Sequence, residues 1–327
     1  MTPEEEIAQF REALLRLKAA VGKVIVGQAD IVEGAMVALF AGGHVLLEGV
    51  PGVGKTRLVR ALSDALSLSF GRIQFTPDLM PSDVLGTNMI VEEGGHRRFQ
   101  LQKGPVFSHV LLADEVNRAT PKTQSALLEA MQEGAVTIAG VTHALPSPFI
   151  VLATQNPLEM EGTYPLPEAQ LDRFMFKLKV PSPSAAELGE ILDRTTGEHT
   201  PTVEPVLDQA GVLSARALVR RVPTPEVTKR MIVRAVELSH PASSGAPPLV
   251  TRYVRYGASP RGAQALLVAA KLGALAAGRF APSRDDVRKV GRPALRHRVL
   301  LNFEGEAEGI DPDRVIDEVI EVAAREP

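Results

Sequence analysis

The chain has 327 residues, enough for two domains at the usual ~100–200 residues each. Its 36 Lys and Arg nearly balance 39 Asp and Glu, giving a formal net charge of −3, so an overall electrostatic footprint for nucleic acid is not expected. Cysteine is absent, which excludes disulfide frameworks, thiolate metal sites and thiol nucleophiles and fits a reducing compartment, the cytoplasm by default.

The first residues, Met-Thr-Pro-Glu-Glu-Glu, are acidic where a signal peptide would be basic. Ile7, Phe10, Leu14 and Leu17 follow at helical spacing and predict an amphipathic helix within an N-terminal segment 1–23. From residue 24 to 180, short apolar runs alternate with helical patterns. Strands are expected at His44–Leu47, Leu68–Phe75, Val110–Ala113, Phe149–Thr154 and Phe174–Leu178, with helices over Thr56–Leu66 and Thr120–Gln132. Fully apolar strands separated by helices imply an α/β fold: a parallel sheet covered on both faces, with ligands at the carboxyl ends of its strands. Two hairpins interrupt the alternation. Gly86–Val91 and Arg97–Leu101 flank Glu-Glu-Gly-Gly-His, and Val136–Ile138 and Val141–Ala144 flank Ala-Gly. The uncharged stretch Ala135–Leu158 contains three prolines and cannot be a bilayer-spanning helix. Pro181-Ser-Pro-Ser reads as a linker. Beyond it Thr224-Pro225, Ser259-Pro260 and Asp311-Pro312 each place a capping residue before proline, so residues 181–327 are expected to form a helical domain.

Gly49-Val-Pro51-Gly52-Val53-Gly54-Lys55-Thr56 matches the phosphate-binding loop GxxxxGK[ST] and lies between an apolar strand and a helix, where such a loop belongs. The glycines let backbone N–H groups close around phosphates, and the helix N-terminus adds a positive dipole end. Lys55 would meet the β- and γ-phosphates of ATP and Thr56 would ligate Mg²⁺, with Arg57 following in the same turn. Val110-Leu-Leu-Ala-Asp114-Glu115 is an apolar strand ending in two acids. Asp114 would hold Mg²⁺ through water, and Glu115 would act as general base on the attacking water.

These motifs, with Val26-Gly27-Gln28, Asp114-Glu115-Val-Asn-Arg118-Ala, Thr154-Gln-Asn156-Pro, Leu171-Asp-Arg173-Phe and Ser259-Pro-Arg261-Gly-Ala, resemble the MoxR family of AAA+ ATPases from about Val24 to Asp317. The resemblance implies an AAA+ core with two hairpin insertions and a small helical lid. It makes Asn156 the sensor 1 residue, Arg261 the sensor 2 arginine of the lid, and Val26 and Gly27, beside Gln28, contacts of the adenine. It also implies that Arg173 is an arginine finger supplied to the neighbouring subunit of a homo-oligomeric, hexameric ring; an ion pair between Arg173 and Asp172 is the local alternative. Arg118 is open between a role toward the neighbour and plain surface. The implied output is chaperone-like remodelling or maturation of a protein client, with a partner carrying a von Willebrand factor A domain. A nucleotide-gated scaffold would carry the same phosphate loop, and magnesium-chelatase-like or DNA-acting ring motors are the neighbouring alternatives.

In family terms the hairpins resemble the helix-2 and pre-sensor 1 inserts. The tip of the first, Glu92 to Arg98, is near neutral and has no large apolar residue, unlike a DNA-translocating tip. Leu79-Met80, between prolines, is either a contact loop or packed beneath the insert. Arg284, Arg288, Lys289, Arg292, Arg296 and Arg298 form a basic run containing only two acids, either a solvated helix face or an interface for an acidic partner. The seven histidines are scattered, with no pair at metal-binding helical spacing.

Overall fold

The computed structural model describes residues 2–93, 96–157, 162–197 and 201–325; Gly94 and Gly95 of the hairpin tip, Leu158 and His199 lie outside them. The N-terminal helix α1 (Pro3–Gly22) starts from a reciprocal cap in which Thr2 Oγ1 accepts the Glu5 N–H at 3.3 Å and Glu5 accepts the Thr2 N–H at 2.8 Å. Its apolar stripe meets α2 (Ala29–Ala41), where Phe10 packs edge-on against Phe40 at 5.5 Å. There follow β1 (Val45–Glu48), α3 (Lys55–Ala65), β2 (Phe70–Gln74), α4 (Pro81–Leu85), the hairpin β3 (Gly86–Glu93) and β4 (His96–Lys103), β5 (Val110–Asp114) and α5 (Pro121–Glu133). The second hairpin is β6 (Ala135–Ile138) and β7 (Val141–Ala144), and the core closes with β8 (Ile150–Gln155), the short α6 (Glu168–Leu171) and β9 (Phe176–Lys179).

Five strands form one parallel sheet in the order β2-β5-β8-β1-β9. Alternate side chains leave on opposite faces, as the two-residue strand period requires. Val45, Leu47, Val110, Leu112, Ile150 and Leu152 join α1, α2, α3 and the C-terminal helices in one core. Leu46, Leu111, Ala113, Val151 and Ala153 join α5 and the second hairpin in another. Both faces are therefore buried, the condition for near-continuous apolar strands. Each fully buried Leu or Ile here contributes about 1.5–3 kcal/mol.

The C-terminal region is helical: α7 (Ala185–Thr196), α8 (Gln209–Arg221), α9 (Glu226–Leu238), α10 (Pro248–Tyr253), α11 (Pro260–Ala276), α12 (Arg284–Leu295), α13 (Phe303–Ala307) and α14 (Pro312–Arg325). Ser259 caps α11 as its sequence suggests, whereas Pro225, extended at ψ 140°, precedes α9 and does not begin it. One element has no local sequence signal: β10 (Val254–Tyr256) and β11 (Leu300–Leu301) pair across α11 and α12 as a small antiparallel ladder.

The partner of the basic run is α14. Arg288 binds Glu321 at 2.9 Å, Arg292 grips Asp317 with two hydrogen bonds of 2.7 and 2.6 Å, and Arg296 grips Asp313 with two of 3.0 Å. The run is thus not a free patch: Arg288 and Arg292 stay exposed but are paired along an antiparallel helix pair, and Arg296 closes the row from a half-buried position. Leu79 packs against the sheet's second core while Met80 beside it stays 59% exposed, so this loop divides between the two expected roles. No helix among the described residues is long and apolar enough to cross a membrane, and no cluster of three or more His, Cys, Asp or Glu suited to a metal occurs among them.

Candidate ATP site

The parallel register brings the ends of β2, β5, β8 and β1 to one edge, carrying Gln74, Asp114 with Glu115, Asn156 and the loop that starts at Gly49. Gly49 is placed by the close approach of β9, where a Cβ would lie 2.7 Å from the Val180 carbonyl oxygen. Gly52 and Gly54 have φ of +81° and +88°, and a Cβ at either would meet open space, so conformation and not crowding requires glycine there. Gly54 caps α3, and the first helical residue is Lys55.

Lys55 is 8% exposed, with its ammonium donating to the Gly49 carbonyl at 2.6 Å. Burial lowers its pKa, opposed by the charges of Asp114 and Glu115 on the same edge. Thr56 is half-buried beside it and Pro51 exposed at the loop's tip. Gln28, left-handed at φ 54°, donates from Nε2 to the Val53 carbonyl at 2.8 Å and so ties the Val26-Gly27-Gln28 segment to the loop. Gly27 lies under α7, where a Cβ would be 2.0 Å from Glu187 Oε1. Two buried polar atoms at this site, Gln28 Oε1 and Arg57 Nη2, have no hydrogen-bond partner within the protein. Orphaned buried groups are uncommon, and their presence beside an open glycine cradle fits a site built for a nucleotide.

At the end of β5, Asp114 accepts hydrogen bonds from Arg72 at 2.8 Å and the Thr154 hydroxyl at 2.7 Å. That hydroxyl also accepts the Glu115 N–H at 2.8 Å, which fixes Glu115 at a left-handed φ of 57°. The Glu115 carboxylate accepts from Gln74 at 2.8 Å and Arg118 at 3.0 Å. Arg118 sits at the end of a 3-10 turn, Val116–Arg118, and is engaged within its own chain. Asn156, 5% exposed, lies one residue past β8 between these acids and the phosphate loop.

The two arginines are elsewhere. Arg173 donates to the Leu128 carbonyl at 2.9 Å and lines an open recess of about 400 Å³ with Ser125, Glu129, Gln132, Glu133 and Gln170, none of them from its own phosphate loop. It does not pair with Asp172, whose carboxylate is taken by Ser259, Arg298 and Arg261. Arg261, in the first turn of α11, is 3.7 Å from Asp172. Sequence reasoning missed Gln74 and Arg72 and gave Thr154 no role beyond its place in the Thr154-Gln-Asn156-Pro motif; the contacts of all three are fixed by register between strands far apart in the chain.

A model of the ATPase family associated with various cellular activities (AAA) matches residues 44–176, and a model of the AAA lid domain matches 248–319. The chain is 42% identical to Chaperone MoxR1 of Mycobacterium tuberculosis over 98% of its own length and 83% of that protein's. It is 44% identical to the uncharacterized protein YeaC of Bacillus subtilis over 92% and 91%, and 32% identical to Protein MoxR of Paracoccus denitrificans over 93% of each. A crystal structure from Cytophaga hutchinsonii, described as an ATPase, superimposes with a TM-score of 0.90 at 41% identity, covering 97% of this chain and 96% of that one. Fold and comparisons define an AAA+ ATP hydrolase with a parallel-sheet core and a helical lid. More narrowly, the chain belongs to the MoxR family.

Proposed function

We propose that the protein is a Mg²⁺-dependent ATPase that works as a homo-hexameric ring in the cytoplasm and uses ATP or ADP state to remodel or mature a protein client, with a von Willebrand factor A domain protein as partner. Residues 24–180 serve as the ATPase core, 181–327 as the lid and 1–23 as the N-terminal helix. Val26, Gly27 and Gln28 hold the adenine side; Gly49, Pro51, Gly52, Val53, Gly54, Lys55 and Arg57 form the phosphate cradle. Thr56 and Asp114 would hold the Mg²⁺, which when bound neutralises charge on the β- and γ-phosphates. Glu115, released from Gln74 and Arg118, takes the proton of the attacking water; Asn156 orients that water or the γ-phosphate, and Arg261 senses the γ-phosphate from the lid. Arg173 stabilises the transferring phosphoryl group of the neighbouring subunit.

The observation that carries this reading is the division of charge. Lys55, Asp114 and Glu115 share one sheet edge, while Arg173 is bound to α5 and lines a recess made without the phosphate loop. The client side draws on the first hairpin, where Ile90 and Phe99 face each other across the strands, 63% and 75% exposed, as an apolar pair below the polar tip.

Glu115→Gln should retain ATP and lower turnover by about 10²–10⁴-fold. Hydrolysis at the wild-type rate would overturn the assignment. Mixing Glu115→Gln with Arg173→Ala subunits should restore turnover that neither has alone, because intact arginines then meet intact catalytic edges; absence of rescue at every ratio removes the trans role.

A further inference from the structure

The segment that carries Arg173 is held from beneath by three consecutive residues in the turn that follows α12. Arg298 donates from Nη2 to the carbonyls of Asp172 at 2.9 Å and Phe174 at 2.7 Å, from Nη1 to the carbonyls of Met175 at 3.1 Å and Ala294, and from Nε to the Asp172 carboxylate at 2.8 Å. His297 binds the Phe174 carbonyl at 2.9 Å, and Arg296 reaches the Lys177 carbonyl at 3.3 Å. Carbonyls on both sides of Arg173 are therefore fixed by the lid, and Arg298 does this from a site only 6% exposed. A planar guanidinium can span several carbonyls in a fixed fork, which an ammonium cannot.

A second connection starts from the same aspartate. The Ser259 hydroxyl donates to both Asp172 oxygens, at 2.8 and 2.9 Å, and accepts the Arg261 N–H at 3.1 Å as the cap of α11. Arg261 itself stands 3.7 Å from Asp172. One hydroxyl thus joins the start of the helix bearing Arg261 to the residue preceding Arg173.

We propose that Asp172, Ser259 and Arg298 form a positioning assembly that sets the reach of Arg173 and ties it to the position of α11 in the same subunit, so that the nucleotide state of one site governs the arginine offered to the next. This rests on the trans role of Arg173. Movement of Arg261 to a γ-phosphate withdraws one cation from Asp172 and shifts its cap, and the displacement passes along a hydrogen-bonded carboxylate to the adjoining residue. The assembly acts through Arg173 and touches no reacting atom.

The test uses Arg298→Lys in the full-length protein, with Asp172→Asn as the second variant should the first fail to fold. Binding of a fluorescent ATP analogue and sedimentation velocity, neither of which depends on turnover, should stay within about twofold of wild type, while kcat falls about ten- to a hundredfold with KM for ATP little changed. The deciding measurement is mixing with Glu115→Gln subunits, which cannot hydrolyse but carry an intact 172–177 segment. Rescue matching that of Arg173→Ala supports the assembly, because the defect then lies in what a subunit offers its neighbour. Wild-type turnover by Arg298→Lys, or loss without rescue where Arg173→Ala is rescued, overturns it and leaves the trans role standing. Failure of Arg173→Ala itself to be rescued overturns the trans role, and the assembly with it.

Discussion

Lys55 and Arg298 are both nearly buried cations, yet the structure treats them in opposite ways. Lys55 uses its ammonium on a single loop carbonyl, beside glycines that open onto space and two orphaned polar atoms. Arg298 spends all three guanidinium nitrogens on its own chain, on an aspartate and four carbonyls. An under-partnered buried charge is held in readiness for a ligand, whereas a saturated one is part of the architecture. Removing each should therefore damage a different property.

The largest effect is expected from Lys55→Ala. Turnover should fall on the order of 10⁴-fold, about 5.5 kcal/mol of transition-state stabilisation, with nucleotide affinity reduced. Chemical unfolding of the nucleotide-free protein should change by less than about 1 kcal/mol, because the lost partner is one carbonyl. The reverse pattern should follow Arg298→Ala, which leaves the Asp172 carboxylate and several carbonyls unmatched and should lower unfolding stability by about 3–5 kcal/mol. Equal destabilisation by the two substitutions in denaturant titrations would erase the distinction.

A smaller and pH-dependent effect comes from His44, a buried group with no net charge. Its Nδ1 accepts the Val151 N–H at 3.0 Å, so Nε2 carries the proton and donates to the Met131 carbonyl at 3.0 Å. Burial lowers its pKa from 6.5 to about 4. Between those values the unfolded chain binds a proton that the folded protein excludes, so stability falls as pH drops from about 6.5 toward about 4, by ~3 kcal/mol, and levels off below. His44→Gln, which can also accept and donate, should shrink that acid limb in unfolding measurements across the range. An unchanged limb would place its origin elsewhere, His297 being the other buried imidazole among the described residues, its pKa also pushed well down by burial.

The phosphate loop and the acid-terminated strand are legible in the sequence because they are short, contiguous patterns whose spacing is dictated by phosphate and metal geometry. The five sheet strands are legible too, through their apolar runs, with ends that differ from the expected ones by only a residue or two. Residues that act through register are not. Gln74 and Glu115 are 41 residues apart and meet because β2 pairs with β5; Arg298 and Asp172 are 126 apart. The basic run holds a signal that its charge count alone conceals. Arg288, Arg292 and Arg296 recur every four residues, as do Asp313, Asp317 and Glu321, the pattern of two helix faces set to meet in antiparallel order.

At the rim of the sheet, β9 is an outermost strand, and such strands offer unpaired backbone groups to any passing chain. Here α12 lies against it, Arg296 occupies the Lys177 carbonyl, and Lys177 and Lys179 place charges along it, countered by Glu48 and by Asp311 and Asp313. The turn that follows α12 and steadies the segment around Arg173 thereby also shields this edge of the sheet from strand-to-strand pairing.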